Sequence, residues 1–230
     1  MLKAPLLILP SAIVLTFVTF SQVSTQEPIE ITTSMKIDVD GAPNAYGPKN
    51  KKTLDYELNA HEGASARGKT VGYITREDGR TPEIQGPNDP CPGYYISTSG
   101  FFDRNNPNRL DPNRYLDASK INYVVLPTIA RKRGVSLGDL VAVYSKKTKK
   151  SAFGIVGDSG NSSGAEGSLA LLQALGYPFK DGKAGEVTEK EIVVRYFPKS
   201  NPGHNFYATQ KQIDERARSL GLDRAFPTHD

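Results

Sequence analysis

The chain has 230 residues, a formal charge of +4, no tryptophan and one cysteine, Cys91. Its basic residues are scattered, so no continuous basic face argues for a nucleic-acid partner. The length suits one domain with a substantial core, and a single thiol excludes an internal disulfide, so stability must come from packing.

Lys3 is the only charge before Glu27, and an apolar run from Leu6 to Phe20 follows it, then Ser21, Ser24 and Thr25. A basic start, an apolar middle and a small-residue exit are the pattern of a secretory signal peptide, here 1–25. The run falls short of the roughly 18–20 apolar residues of a spanning helix, and Pro10 interrupts it; an uncleaved anchor is the competing reading. The expected product is a monomer that is extracellular or periplasmic, with no stable membrane association after cleavage. Residues 26–34 read as a polar, flexible lead-in, and 35–230 as the folded domain.

Within that domain, Ile37 and Val39 alternate with Asp38 and Asp40, the period-2 pattern of a strand over 35–40. Residues 41–52 are rich in Gly, Pro, Asn and Lys and read as a long loop. Short strands are expected at 70–74, 94–97 and 122–126. Strands at 140–144 and 151–156 flank the turn at Lys146–Lys150 as a hairpin. Leu169, Leu172 and Leu175 predict a helix over 167–175, stopped by Gly176 and Pro178. Residues 191–197 alternate as a strand. Thr209 and Gln212 form a capping-box pattern for a helix from about Gln210 to Leu220. Together these predict a mainly β single domain with a few helices, closed as a β-barrel; a double-psi-like arrangement is one topology that fits the rhythm.

The segment FGIVGDSGNSSGAEGSLALLQALG, residues 153–176, carries the chemistry. An apolar strand delivers Asp158 at its end, a loop of Gly, Ser and Asn follows, and Glu166 stands at the expected helix start. Hydrolysis of a glycosidic bond by two carboxyl groups needs one protonated acid and one ionised carboxylate, roughly 6.5–9.5 Å apart if the carboxylate activates water. A turn-capping Asp and a first-turn Glu are also ordinary structural choices, so spacing alone does not decide. The glycines at 157, 160, 164 and 167 suggest a phosphate loop, but no Gly-Lys-Ser/Thr follows and two acids would repel phosphate.

The same segment resembles the signature of glycoside hydrolase family 75, the chitosanases. GYYISTS (93–99), YLDASKINYVVLP (115–127), GVSLGDLVAV (134–143) and IVVRYFPK (192–199) resemble family blocks in the same order, and MKIDVDG (35–41) resembles the family's acidic N-terminal motif, with Val39 in place of the fungal cysteine. The resemblance implies an inverting endo-hydrolase of β-1,4-linked glucosamine polymer with Asp158 and Glu166 as the catalytic pair and no metal cofactor. A helix N-terminus at Glu166 would favour its ionised form and so a role as base, but the opposite assignment stays open.

Asp38, Asp40 and Asp55 are candidates to hold the ammonium groups of a cationic polysaccharide, and Tyr46 and Tyr56 to stack on sugar rings; strand-edge acids and core tyrosines are the plainer readings. As a calcium loop the Asp38 run fails, because Lys49 stands where Glu is needed. His61, His204 and His229 lack metal-ligand spacing. Two other functions remain open: a non-catalytic polysaccharide- or cell-wall-binding module on the same fold, and a hydrolase of another amino-sugar wall glycan. The net positive charge runs against a polycationic substrate unless the acids gather in one place.

Overall fold

The computed structural model describes residues 27–183 and 185–227; the expected signal peptide lies outside them. Six strands close into a barrel: β1 (Ile29–Asp38), β2 (Tyr123–Val125), β3 (Leu140–Ser145), β4 (Ser151–Asp158), β5 (Glu166–Ser168) and β6 (Glu186–Tyr196). Around the barrel they run β1-β5-β2-β4-β3-β6. Closure gives each of these strands a partner on both sides over at least part of its length. The neighbours β1/β5 and β2/β4 are parallel, and the other pairs antiparallel. Because β5 lies between β1 and β2, and β4 between β2 and β3, the strands interleave around the barrel out of chain order.

The mainly β barrel predicted from the strand rhythm is therefore the observed architecture, and the β3–β4 hairpin spans the Lys-rich turn as expected. Val141, Val143, Ile155, Val156, Ile192 and Val194 fill the core, β-branched side chains that pack well on a pleated surface. The helix α3 (Gln210–Ser219) carries the full Thr209/Gln212 capping box and buries Ile213 and Ala217. A short helix that the pattern did not predict, α1 (Thr128–Lys132), follows Pro127. No helix among the described residues is long and apolar enough to cross a membrane.

Three expectations are corrected. The lead-in assigned to 26–34 is largely strand: Ile29–Thr33 pairs with Ile192–Tyr196 of β6, with Ile29 buried. Polar Glu30, Thr32, Thr33 and Ser34 mask the alternation of Ile29, Ile31 and Met35. The helix expected from 167 begins later, as α2 (Leu169–Ala174), capped by the Ser168 hydroxyl, which accepts from the Leu171 amide at 3.1 Å. Glu166 thus belongs to a strand, not to a helix start. Residues 70–74 and 94–97 make isolated bridges, including Tyr73 to Ser97, within a long excursion from β1 to β2. That excursion packs Tyr46, Tyr73 and Tyr95 together, with ring centroids 5.8 and 4.9 Å apart, and forms a wall beside the barrel mouth. Long irregular segments of this kind commonly carry function.

Candidate active site

Register brings the acids together. Lys36 pairs with Glu166 and Asp38 with Ser168 across β1 and β5. Val124 pairs with Gly167 across β2 and β5, so the next antiparallel step sets Val125 beside Glu166. Val125 also pairs with Asp158 across β2 and β4, after a bulge. Asp158 and Glu166 therefore flank buried Val125 on either side. Two strand spacings put their backbones about 9.5 Å apart.

One open cleft of about 930 Å³ is lined by Asp38, Asp40, Tyr46, Asp55, Asp158 and Glu166 together. Tyr56, the seventh residue singled out in the sequence, is not on that lining; it is 57% exposed, and its ring lies under the Lys183 ammonium at 5.6 Å. Glu62 and Glu186 bring the carboxyl groups on the lining to seven, against Lys36 and Lys183. A chain of charge +4 thus gathers seven carboxyl groups against two lysines along one cleft.

Four of the acids are held by specific hydrogen bonds. Asp38 ends β1, and its Oδ1 accepts from the Asp40 amide at 2.8 Å. At Gly41 the backbone turns with φ +83°, and a side chain would overlap the Leu116 carbonyl, so glycine is required directly after the pair. The Asp40 carboxyl accepts from the Tyr46 hydroxyl at 2.7 Å, and its backbone carbonyl from the Tyr123 hydroxyl at 2.9 Å. Asp55, nearly buried, accepts on Oδ1 from the Tyr56 amide at 2.7 Å and from Asn59 Nδ2 at 2.9 Å. Asp158 ends β4, and its Oδ1 accepts from the Ser159 amide at 2.6 Å. Gly100 passes so close that a Cβ there would stand 2.8 Å from Asp158 Oδ1.

Burial dominates the electrostatics. It raises Asp38 to about 7, with the Glu166 and Asp55 charges adding to the rise and the Asp40 amide and Tyr123 hydroxyl opposing it. Asp158 is held well above the ordinary carboxylate range by burial first and the Asp38 charge second, against the amides of Ser159 and Gly100. Asp40 is raised likewise by burial and by its neighbours Asp38 and Asp158. Such crowded acids cannot all ionise together near neutrality, so the cleft holds exchangeable protons beside carboxylates, the pairing that acid–base chemistry needs.

Sequence reasoning missed Tyr123, read only as a strand residue, although its hydroxyl braces the Asp40 backbone. It also missed Gly100, for which the sequence carries no signal, and the cleft-lining Lys36, Asn161 and Lys183. Among the described residues, no group of three or more His, Cys, Asp or Glu side chains is arranged to hold a metal ion. No protein-family model matches the chain, and no curated protein matches it.

Proposed function

We propose that the protein is a secreted, endo-acting glycoside hydrolase that cleaves a β-1,4-linked glucosamine polymer such as chitosan by an inverting, two-carboxyl mechanism. The observation that carries this reading is the gathering of Asp158, Glu166 and three further aspartates in one open, acid-rich cleft on a positively charged chain. A polyamine sugar chain is drawn to such a cleft, and an open trough accepts the middle of a polymer. The ordered sequence blocks resembling family 75 chitosanases support the same chemistry, and the signal-like start supports secretion.

Asp158 suits the acid. Its raised pKa keeps a proton to deliver to the leaving glycosidic oxygen. Glu166, half-buried at the cleft floor, then takes a proton from the water that attacks the anomeric carbon from the opposite face. With the helix start displaced to Leu169, this assignment rests on the burial of Asp158 rather than on a helix dipole at Glu166. The inverting outcome follows from the family resemblance, and it requires the two carboxyl groups to stand roughly 6.5–9.5 Å apart rather than about 5–5.5 Å.

The test is release of reducing ends from chitosan, chitin and peptidoglycan by the wild type, Asp158→Asn and Glu166→Gln. Cleavage of chitosan is expected, with each variant slower by about 10²–10⁴-fold. Activity surviving both substitutions removes the site. Binding of polysaccharide without cleavage favours a non-catalytic module, and cleavage of peptidoglycan alone favours another wall glycan.

A further inference from the structure

Lys36 and Lys183 are the two lysines on the lining of the acidic cleft, and the backbone around Lys183 is pinned there. The Gly182 amide donates to the Leu54 carbonyl at 2.9 Å, and the Ile37 amide donates to the Gly185 carbonyl at 3.3 Å. The Lys183 amide donates to Asp181 Oδ1 at 3.1 Å. Gly182 lies so close to the wall that a Cβ there would stand 3.3 Å from Asp55 Oδ2. The segment thus bridges β1 to the β1–β2 excursion and carries Lys183 up to Asp55.

The Lys183 ammonium rests 5.6 Å from the centroid of the Tyr56 ring, inside the cation–π range of about 6 Å. Tyr56 follows Asp55 in the chain and is exposed just outside the cleft lining. The Tyr56 amide and Asn59 Nδ2 both donate to Asp55 Oδ1, so Oδ2 is the oxygen turned toward Gly182. Burial raises the Asp55 carboxyl above its ordinary range, while the Tyr56 amide, Asn59 and the Lys183 charge pull against that rise. A carboxyl beside an open aromatic face suits an ammonium group, and each glucosamine unit carries one.

We infer that Asp55 and Tyr56 form an ammonium subsite at the margin of the cleft, filled by the Lys183 side chain when no sugar is bound. The inference rests on the chitosan reading above and adds an internal competitor to it. A glucosamine unit that reaches this part of the cleft displaces Lys183 and takes its place over the ring.

The experiment is calorimetric titration of a glucosamine hexamer into the full mature chain carrying Glu166→Gln, which slows turnover. Lys183→Ala on that background empties the subsite and should lower Kd about fivefold, the scale of one exposed cation–π contact. Lys183→Arg keeps the competing charge and should stay within about twofold of the parent. Tyr56 is exposed, so Tyr56→Leu spares the core; added to Lys183→Ala, it should return Kd to the parent value. A hexamer of N-acetylglucosamine, which has no ammonium, should gain nothing from Lys183→Ala. An unchanged or raised Kd in Lys183→Ala, a gain that survives Tyr56→Leu, an equal gain for the acetylated hexamer, or no binding by any variant overturns the inference. Wild-type protein that binds the glucosamine hexamer and cleaves no chitosan overturns the hydrolase reading and leaves the subsite standing.

Discussion

The Tyr46 hydroxyl donates to Asp40 Oδ1 at 2.7 Å, and this bond, made within the long β1–β2 excursion, holds the carboxyl of a cleft-lining acid. Tyr46 is buried, with its ring packed near Tyr73. Tyr46→Phe keeps the ring and removes only the donor. A loss of about 1–2 kcal/mol is expected, read as a lower urea midpoint with unchanged slope. An unchanged midpoint would mean that the bond contributes nothing net.

The crowded carboxyls make stability depend on pH in an unusual direction. A carboxyl whose pKa is raised on folding binds its proton more tightly in the folded state than in the unfolded one. Stability then falls as pH climbs from the ordinary carboxylate range, about 4, to the folded value, about 7 for Asp38. The melting temperature should be several degrees higher at pH 5 than at pH 8, and Asp38→Asn should narrow that gap. A melting temperature that rises over this range would contradict the burial of the cluster.

Gly100 offers a probe that touches the chemistry without altering a titratable group. The Cβ of Gly100→Ala would stand 2.8 Å from Asp158 Oδ1 and 3.3 Å from the Ser159 nitrogen. Relief of that contact displaces the carboxyl. Misplacement of about 1 Å can cost about 10²-fold in rate, so turnover of chitosan should fall more than tenfold. Equal losses of turnover and of folded protein would instead mark a general packing defect.

Ser168 is fully buried, and its hydroxyl accepts from the amides of both Leu171 and Tyr123, at 3.1 and 3.0 Å. It therefore caps α2 and closes the β5–β2 contact with one atom. Ser168→Ala strands both donors and should destabilise by about 2–3 kcal/mol, while Ser168→Thr recovers part of the loss. Denaturant titration of the pair decides it.

Ser168 also shows where the sequence was readable. Serine before an apolar run is a helix-start signal, yet the three-residue spacing of Leu169, Leu172 and Leu175 drew the expected helix back to Gly167. Nothing local could place Glu166–Ser168 in a strand, because three residues become a strand only through β1 and β2 on either side. The apolar runs of β3 and β4 about their Lys-rich turn and the alternation in the second half of β6 were plain, since those strands bury apolar side chains. Residue type alone marked Asp38, Asp40, Asp55, Asp158 and Glu166 as candidates. That they share a cleft was beyond local reading, because strand closure and the 123–125 register set their distances. Tyr56 had the same local credentials as Tyr46, but it lies outside the cleft lining.

The join between β1 and β6 has a consequence for assembly. The earliest strand is held by the latest, so the barrel cannot shut until nearly the whole domain is available, and contacts between such distant segments form slowly. Asp38 and Glu166 are gathered by another contact, the β1–β5 pairing that sets Lys36 opposite Glu166 and Asp38 opposite Ser168. Recovery of activity during refolding should therefore wait on both contacts, after most strand content has returned. The mutual repulsion of the acids opposes the β1–β5 pairing that gathers them. In acid they arrive carrying their protons, and that pairing meets less resistance.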